Sequence, residues 1–486
     1  MSSSLKILLV AAEVFPFAKT GGLADVAGSL PSSLKKLGHD VRVLLPKYPC
    51  TESQPIRSLD LEIEIPNSTE KATLFEGQLP ENVPVYLVGN DTYFDREHLY
   101  GEPGTEYSDN AERFAFLSQA ALETCKALDF QPDIIHCNDW HTGLIPVYLK
   151  SLYLKKKWYS KIRTLFSIHN LGYQGNFSME KFSATGLPDK FAGSDGIEFY
   201  GKISFLKSGL LFSDTLNTVS PRYCQEIQTA GLGFGMEGIL QQRSKDLTGI
   251  LNGVDYSVWN PATDKLIAEP YDSLSKKQKC REALINKFSL KIDKNTPLLC
   301  MISRLSSQKG IDLLMEVSED IKEKKLALLV LGQGDSKYES FFSQLSDSNP
   351  NRYATALTFD DTLAHQILAG SDMFLMPSTY EPCGLTQMYA LKYGTVPLVS
   401  SVGGLDDSIQ TFDGKIGTGF KFAPNDKNSL LLALKKALAC FSDKSSWECL
   451  VNNGMSKDFS WDNAGGKYSD LYQEIYNSAP SHKTLQ

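Results

Sequence analysis

The amino-acid sequence predicts an α/β protein of two lobes, each a parallel sheet of repeated βαβ units, facing one another across a deep cleft. Three observations carry that expectation. Apolar runs of strand length alternate with stretches of helical period along the chain. The unusual loops, those holding Gly pairs, His, cations or a carboxylate, each follow the carboxyl end of a predicted strand, which is the edge where open parallel sheets bind ligands. These loops also divide between two halves of a 486-residue chain, with a turn signal, Asn252-Gly253, between the halves. The expected units are an N-terminal lobe of residues 1–250, a C-terminal lobe of residues 251–459, and a terminal helix within 460–486 that packs back on the first lobe.

Composition narrows the class. Apolar residues at 42% and charged residues at 22% are ordinary for a globular chain, so disordered and collagen-like classes are excluded. A net charge of −8 argues against nucleic-acid binding, which needs a basic footprint. Nine Cys without a CxxC pair fit reduced thiols of a cytoplasmic protein. The apolar run near the N-terminus reads as a first buried strand rather than an export signal. No apolar stretch approaches the ~20 residues that span a bilayer, so the expectation is a protein without a membrane partner.

The first half opens as strand Lys6 to Val14, the loop AKTGGLADVAG, and strand Val41 to Pro46. Gly21 and Gly22 stand where a helix begins, so their amides suit an anion, and Lys19 adds a positive charge. The string is neither GxGxxG nor a P-loop, and it reads equally as a Gly-Gly turn with a solvated Lys. Residues 49–82 alternate as a hairpin or meander (Leu59, Leu61, Ile63, Ile65), and Val83 to Gly89 is the next strand. The long loop from Asn90 to Asn110 carries Tyr93, Tyr100 and Tyr107, rings that could stack on sugars or simply anchor the loop. Helix Ala111 to Leu128 follows. Strand Asp133 to Asn138 ends at Asp139, Trp140 and His141, ahead of a helix over Thr142 to Lys156. Strand Arg163 to Ile168 repeats the arrangement and ends at His169-Asn170. An Asp or His at a strand end suits acid–base chemistry or ligand contact, and equally suits capping the next helix. Helix Lys202 to Phe212, strand Thr215 to Val219 and a helix started by Ser220-Pro221 come next. The stretch GLGFGMEG at 231–238 lacks the strand and acidic partner of a dinucleotide fingerprint, and reads as a mobile or ligand-shaped loop.

The second half begins after a last strand at Gly249 and a linker. Strand Leu298 to Ser303, loop RLSSQKG, helix Gly310 to Lys325 and strand Leu326 to Leu331 form a βαβ unit. Arg304 and Lys309 fall together on the loop, where Arg can grip a phosphate bidentately and Lys adds a point charge. Gly332 and Gly334 end the next strand, but Lys337 breaks GxGxxG and removes support for a dehydrogenase. The stretch 371–387, SDMFLMPSTYEPCGLTQ, is a buried strand, a loop and a helix start. Glu381 there can accept hydrogen bonds from ligand hydroxyls, and the string also fits an ordinary βα turn punctuated by Pro382 and Gly384. Strand Val396 to Ser400 ends in Gly403-Gly404. An amphipathic helix, Asn428 to Ala439, and the last helix, Trp461 to Asn477, complete the chain.

Taken together, three cations, a carboxylate and histidines suit a phosphorylated, hydroxyl-rich ligand. No DxD or close His/Asp cluster points to a metal, so the expected chemistry is metal-independent and needs no cofactor, side chains and amides neutralising a departing diphosphate. The motifs that carry this also carry a resemblance. KTGGLADV (19–26), HCNDWHTGL (136–144), SIHNLGYQG (167–175), ILNGVDYSVWNP (250–261), SRLSSQKGID (303–312) and EPCGLTQMYALKYGTVP (381–397) resemble bacterial glycogen synthases and plant starch synthases, in family order over nearly the whole chain.

That resemblance implies two Rossmann-like lobes of the glycosyltransferase B type and retaining transfer of glucose from ADP-glucose to the non-reducing end of an α-1,4-glucan. It implies that Lys19, Gly21, Gly22, Arg304 and Lys309 meet the diphosphate, with Asp25 on the same donor side. His169 would lie beside the glucose, Glu381 would bind its hydroxyls, and amides of Cys383, Gly384, Leu385 and Thr386 would complete the donor site. Asp139 would line the acceptor side, where Tyr100, Trp140, His141 and Asn170 are further candidates. Ala24, Thr379, Ser400 and Val402 depart from the family pattern, Thr379 and Ser400 standing where Arg is common. A relative using UDP-glucose or another acceptor, and a non-catalytic glucan-binding protein, are the alternatives.

Overall fold

The computed structural model describes residues 4–51, 56–66, 68–102 and 104–478. The chain forms two units. The first holds Met1–Val219, Cys224–Gly253 and Trp461–Gln486, and the second Ser220–Tyr223 and Val254–Ser460.

The first unit is built on a nine-stranded sheet among the described residues. Its parallel part runs in the order Leu247–Gly249, Thr215–Thr218, Arg163–Ile168, Ile134–Asn138, Lys6–Val10, Asp40–Pro46, Val83–Gly89. The antiparallel hairpin Ile56–Ile65/Ser68–Leu79 extends one edge; positions 52–55 and 67 of the expected meander lie outside the described residues. Central strands are buried on both faces, which is why they read as continuous apolar runs rather than alternating ones. The chain starts in the middle, builds toward the hairpin, then returns to build the other side. Direction therefore reverses between Lys6–Val10 and Ile134–Asn138, paired from Ile7↔Ile134 to Val10↔Cys137, and the loops after these strands flank the point of reversal.

The second unit repeats the plan with six parallel strands, in the order Tyr353–Ala356, Ala327–Leu331, Leu298–Ile302, Met373–Met376, Val396–Ser400, Phe420–Phe422. Here the reversal lies between Leu298–Ile302 and Met373–Met376. Leu299, Met301 and Val330 from the sheet share one core cluster with Leu314, Phe342 and Leu434 from the helices, each such burial contributing about 1.5–3 kcal/mol.

The last helix, Trp461–Asn477, belongs to the first unit. Ala464, Tyr468 and Tyr472, spaced by four, are buried, giving one helical face to bury. Ser33 donates to the Trp461 carbonyl (2.9 Å), His39 Nε2 meets Ser469 Oγ (2.8 Å), and His136 Nδ1 meets the Tyr472 hydroxyl (2.8 Å). Close approach needs Gly465: a Cβ built there would lie 2.1 Å from Ser33 Oγ.

Three expected helices are cut short. The helix over Thr142 to Lys156 is a 3-10 turn, Trp140–Thr142, and a helix, Leu144–Lys150; beyond it Tyr153 is buried between exposed Leu152 and Leu154, an alternation that does not continue a helical face. Lys202–Ser204 is a strand paired with Asn176–Ser178, and the helix starts at Phe205, capped where Ser204 Oγ accepts from the Lys207 amide. The helix over Gly310 to Lys325 breaks at Val317 into Ile311–Glu316 and Ser318–Lys322, because the Ser318 hydroxyl takes the Met315 carbonyl. Among the described residues no helix is long and apolar enough to cross a membrane.

Candidate functional site

At the reversal point of the second unit, two loops meet. Lys309, at the end of the turn Ser307–Lys309, places Nζ 2.6 Å from Glu381 Oε2, and the same oxygen accepts from Ser378 Oγ at 3.0 Å. Both charged groups are mostly buried, so the pair is held in a fixed geometry. Backbone fixes the loops as well: the Thr379 amide donates to the Gln308 carbonyl (2.9 Å), and Gln308 Nε2 donates to that of Tyr380 (3.3 Å). Gly310 allows this closeness. Its φ is +69°, and a Cβ there would sit 1.8 Å from the Pro377 carbonyl oxygen.

Arg304 is exposed on the same loop as Lys309. Its neighbours are pinned, since the Leu305 amide donates to the Gln333 carbonyl and the Asp335 amide to that of Leu305. Gly332 and Gly334, which fail as a dinucleotide motif, have a different use here. Cβ atoms on them would lie 1.9 Å from the Ser303 oxygen and 2.2 Å from the Leu305 oxygen. On the other side, Gly403 and Gly404 bring the next loop against Glu381 and Cys383, the Gly404 amide donating to the Glu381 carbonyl at 3.2 Å. Cys383 is buried, while Gly384, Leu385 and Thr386 are partly exposed where the helix Thr386–Lys392 begins. Gln387 Nε2 ties down the carbonyls of Cys383 and Gly384. Thr379 Oγ1 donates to Asn425 Oδ1 (3.1 Å), a neutral contact at the position where the resemblance leads one to expect Arg.

The first unit's reversal point is built differently. Asp139 takes φ +56°, a conformation that costs on the order of 1–3 kcal/mol for a non-Gly residue. It is held there by its amide to the Ser167 carbonyl (2.9 Å) and by its Oδ1, which accepts from the His169 amide (2.7 Å). Burial pushes the Asp139 carboxyl up to about 7, against the lowering effect of the His169 and Asn170 amides. His169 is also buried, which pushes it down to about 4, and its Nε2 meets Asn138 Oδ1 at 2.9 Å. Near neutral pH it is a neutral imidazole. Asn170 turns the loop, accepting from the Gly172 amide at 3.0 Å.

Trp140, His141 and Tyr100 stack in series, with ring centres 4.0 Å apart for the first pair and 4.8 Å for the second. Burial carries His141 far below its ordinary value. Tyr100 donates to Glu13 Oε1 at 2.6 Å. Glu13, which the sequence did not single out, is buried and accepts from the Thr20 hydroxyl and amide and, at 3.0 Å, from the Gly21 amide. The amide expected to face a diphosphate therefore rests on an internal carboxylate. Gly22 opens the helix Gly22–Lys36, and Lys19 Nζ lies 2.8 Å from Asp25 Oδ1. Glu13 gives no sequence signal beyond an acid embedded in an apolar run. Asn138 and Ser378, which orient His169 and Glu381, were visible only as polar residues at strand ends.

Residues 6–242 match the family model described as the starch synthase catalytic domain, and residues 283–448 that of glycosyl transferases group 1. The glycogen synthase of Koribacter versatilis is 44% identical over 97% of this chain and 98% of its own. That of Thermotoga maritima is 44% identical over 97% of this chain and 99% of its own. The solved catalytic domain of starch synthase IV from Arabidopsis thaliana, bound to ADP and acarbose, superposes with a TM-score of 0.91 at 32% identity, covering 98% of this chain and 100% of that one. A sucrose-phosphate synthase from Thermosynechococcus elongatus shares the fold, with a TM-score of 0.62 at 18% identity over 97% of this chain and 99% of its own. Two α/β units whose sheets each reverse direction of growth define, with these matches, a retaining glucosyltransferase of the glycosyltransferase B type. Within that class, the chain belongs to the glycogen synthase family.

Proposed function

We propose that the protein transfers glucose from ADP-glucose to the non-reducing end of an α-1,4-glucan, with retention at the anomeric carbon. The observation that carries this reading is the Lys309–Glu381 pair at the second reversal point, with Arg304 on the same loop. The likeness to a starch synthase domain bound to ADP and acarbose supports it.

The chemistry follows from where charge grows. As the bond from the anomeric carbon to the diphosphate oxygen breaks, negative charge builds on the diphosphate, and preorganised cations stabilise that state more than the ground state. Arg304, Lys309 and Lys19 supply those cations. Glu381 holds Lys309 in place and turns its other oxygen to the glucose hydroxyls. The acceptor hydroxyl attacks the same face of the sugar as the departing group leaves, and its proton passes to the leaving oxygen, so no carboxylate nucleophile is needed. Neutral His169 lies beside the glucose, and Asp139, Asn170 and the Tyr100–His141–Trp140 stack form the acceptor side. Amides from Cys383 to Thr386, the Gly21–Gly22 turn and Asp25 complete the donor side, the Gly21 amide exchanging its internal carboxylate for the ligand.

In this reading the enzyme is cytoplasmic, metal-independent, and engages neither nucleic acid nor membrane. Incubation with ADP-glucose or UDP-glucose plus glycogen, with glucose incorporation measured with and without EDTA, tests it. The expected result is EDTA-insensitive incorporation favouring ADP-glucose. A preference for UDP-glucose would transfer the donor assignment, and the neutral Thr379–Asn425 contact is the place to look for its cause. Glucan binding without nucleotide release would sink the reading.

A further inference from the structure

The Gly-rich stretch at 231–238 is not absorbed by the donor or acceptor roles above, and it is an ordered part of the first unit. Its amides are spent internally: Gly233 N–H donates to the Thr229 carbonyl (2.7 Å) and Met236 N–H to that of Gly233 (2.8 Å). This order serves to present a ring. Phe234, with φ +48° and 40% exposed, stands at the loop tip. Tyr200, with φ +50° and 82% exposed, stands at the tip of the neighbouring Glu198–Phe199/Lys202–Ser204 hairpin. Tyr173, 48% exposed, lies on the loop that follows His169-Asn170, after Leu171 and Gly172.

Scattered exposed aromatics need no explanation, but these three loops are fastened together. Gln174 Nε2 donates to the Phe234 carbonyl (3.0 Å), while the Gln174 carbonyl accepts from Ser204 Oγ (3.0 Å). Gly235, at φ +83°, lies so close to the hairpin that a Cβ on it would meet Phe199 and Tyr200 at 3.0 and 3.1 Å. Gly175 rests on Trp140, where an added Cβ would lie 2.4 Å from the indole. The patch is thus continuous with His169, Asn170 and Trp140. Two non-Gly residues are held in left-handed backbone conformations with their rings outward, a strain the neighbouring bonds must sustain.

We propose that Tyr173, Tyr200 and Phe234 form a binding platform for the glucan chain several sugars away from the residue that is extended. This rests on the glucan reading above. Glucose rings have apolar C–H faces that stack on aromatic rings and hydroxyl edges that a tyrosine hydroxyl can bond. A platform remote from the reacting end holds long acceptors and adds nothing for short ones.

The test is acceptor kinetics of the full-length enzyme with maltotriose, maltoheptaose and glycogen. Tyr200→Asn and Phe234→Asn remove the rings with a residue that tolerates positive φ. Each should raise the KM for maltoheptaose and glycogen by about 2- to 10-fold relative to that for maltotriose, and Tyr200→Trp should restore it. If long-acceptor KM stays within about twofold of wild type, or maltotriose is weakened equally, the platform is overturned. Tyr173→Ala provides the same readout should either loop variant fail to fold. If the wild-type chain transfers no glucose at all, the function reading has failed. Calorimetric binding of maltoheptaose then decides the platform alone, weaker in Tyr200→Asn if it exists and unchanged if it does not.

Discussion

At the first reversal point, Asp139, His169 and His141 are ionisable groups whose protonation is governed by burial. At the second, Lys309 and Glu381 answer each other's charge across 2.6 Å, and the loops that carry them are sewn together by backbone bonds. One fold plan therefore serves two electrostatic strategies. In the proposed reaction, the site that must stabilise growing negative charge keeps its cation fixed by a partner, whereas the site facing neutral hydroxyls keeps its groups near neutrality by excluding water.

The comparison is broken most severely by removing a cation. Lys309→Ala or Arg304→Ala should lower turnover by about 10²-fold or more with circular dichroism unchanged; near-normal kcat in either purified variant would end the assignment. Lys309→Ala also leaves Glu381 buried with Ser378 as a remaining donor, so denaturant titration should show a loss of about 1–3 kcal/mol.

Acidity sharpens it next. If Asp139 acts as a carboxylate, wild-type kcat/KM falls on the acid side with an apparent pKa of about 7, and Asp139→Asn, slower overall, lacks that limb. Stability carries two opposed slopes. The raised Asp139 binds its proton more tightly when folded, so its contribution falls as pH rises from the ordinary carboxylate range to about 7. The lowered His169 binds its proton less tightly when folded, so its contribution rises from about 4 toward the ordinary His value. Over the shared interval the slopes offset each other. Relative to wild type, the unfolding free energy of Asp139→Asn should gain more, and that of His169→Asn less, as pH rises through that interval. Identical pH profiles for both variants would show that burial does not govern these groups.

Smaller effects separate the glycines. Gly310→Ala must push the Lys309 loop off Pro377 and should cost about 1–3 kcal/mol in thermal or chemical unfolding. Gly21→Ala meets nothing within 4 Å and has an extended φ of −155°, so it should stay within about 0.5 kcal/mol of wild type. Between these lies Tyr472→Phe, which strips the hydroxyl from buried His136 Nδ1 and should cost about 1–2 kcal/mol.

Most of the second unit's edge was legible because it is local. A strand, a turn with Gly and a helix start place Arg304, Lys309 and Glu381 by chain geometry alone. The Lys309–Glu381 contact was not legible, since it joins residues 72 positions apart through the sheet order. Glu13 was hidden for the same reason: its contacts with Gly21 and Tyr100 exist only once two loops have folded against one strand end. At Gly332 and Gly334 the sequence could exclude a dinucleotide motif but not show the use the glycines do have, which is close backbone packing against Ser303 and Leu305. The shortened helices at 142–156 and 311–322 show periodicity overruled by a lost burial face and by a serine hydroxyl.

The final helix has a consequence for synthesis. Tyr472 must leave the ribosome before it can meet His136, and Trp461 before it can accept from Ser33, yet all of Val254–Ser460 has by then emerged. The second unit can therefore be complete while the first still waits for its last helix. A chain truncated before residue 461 would keep the C-terminal unit's own elements and leave the sheet bearing Asp139 and His169 without the helix that packs on His39 and His136.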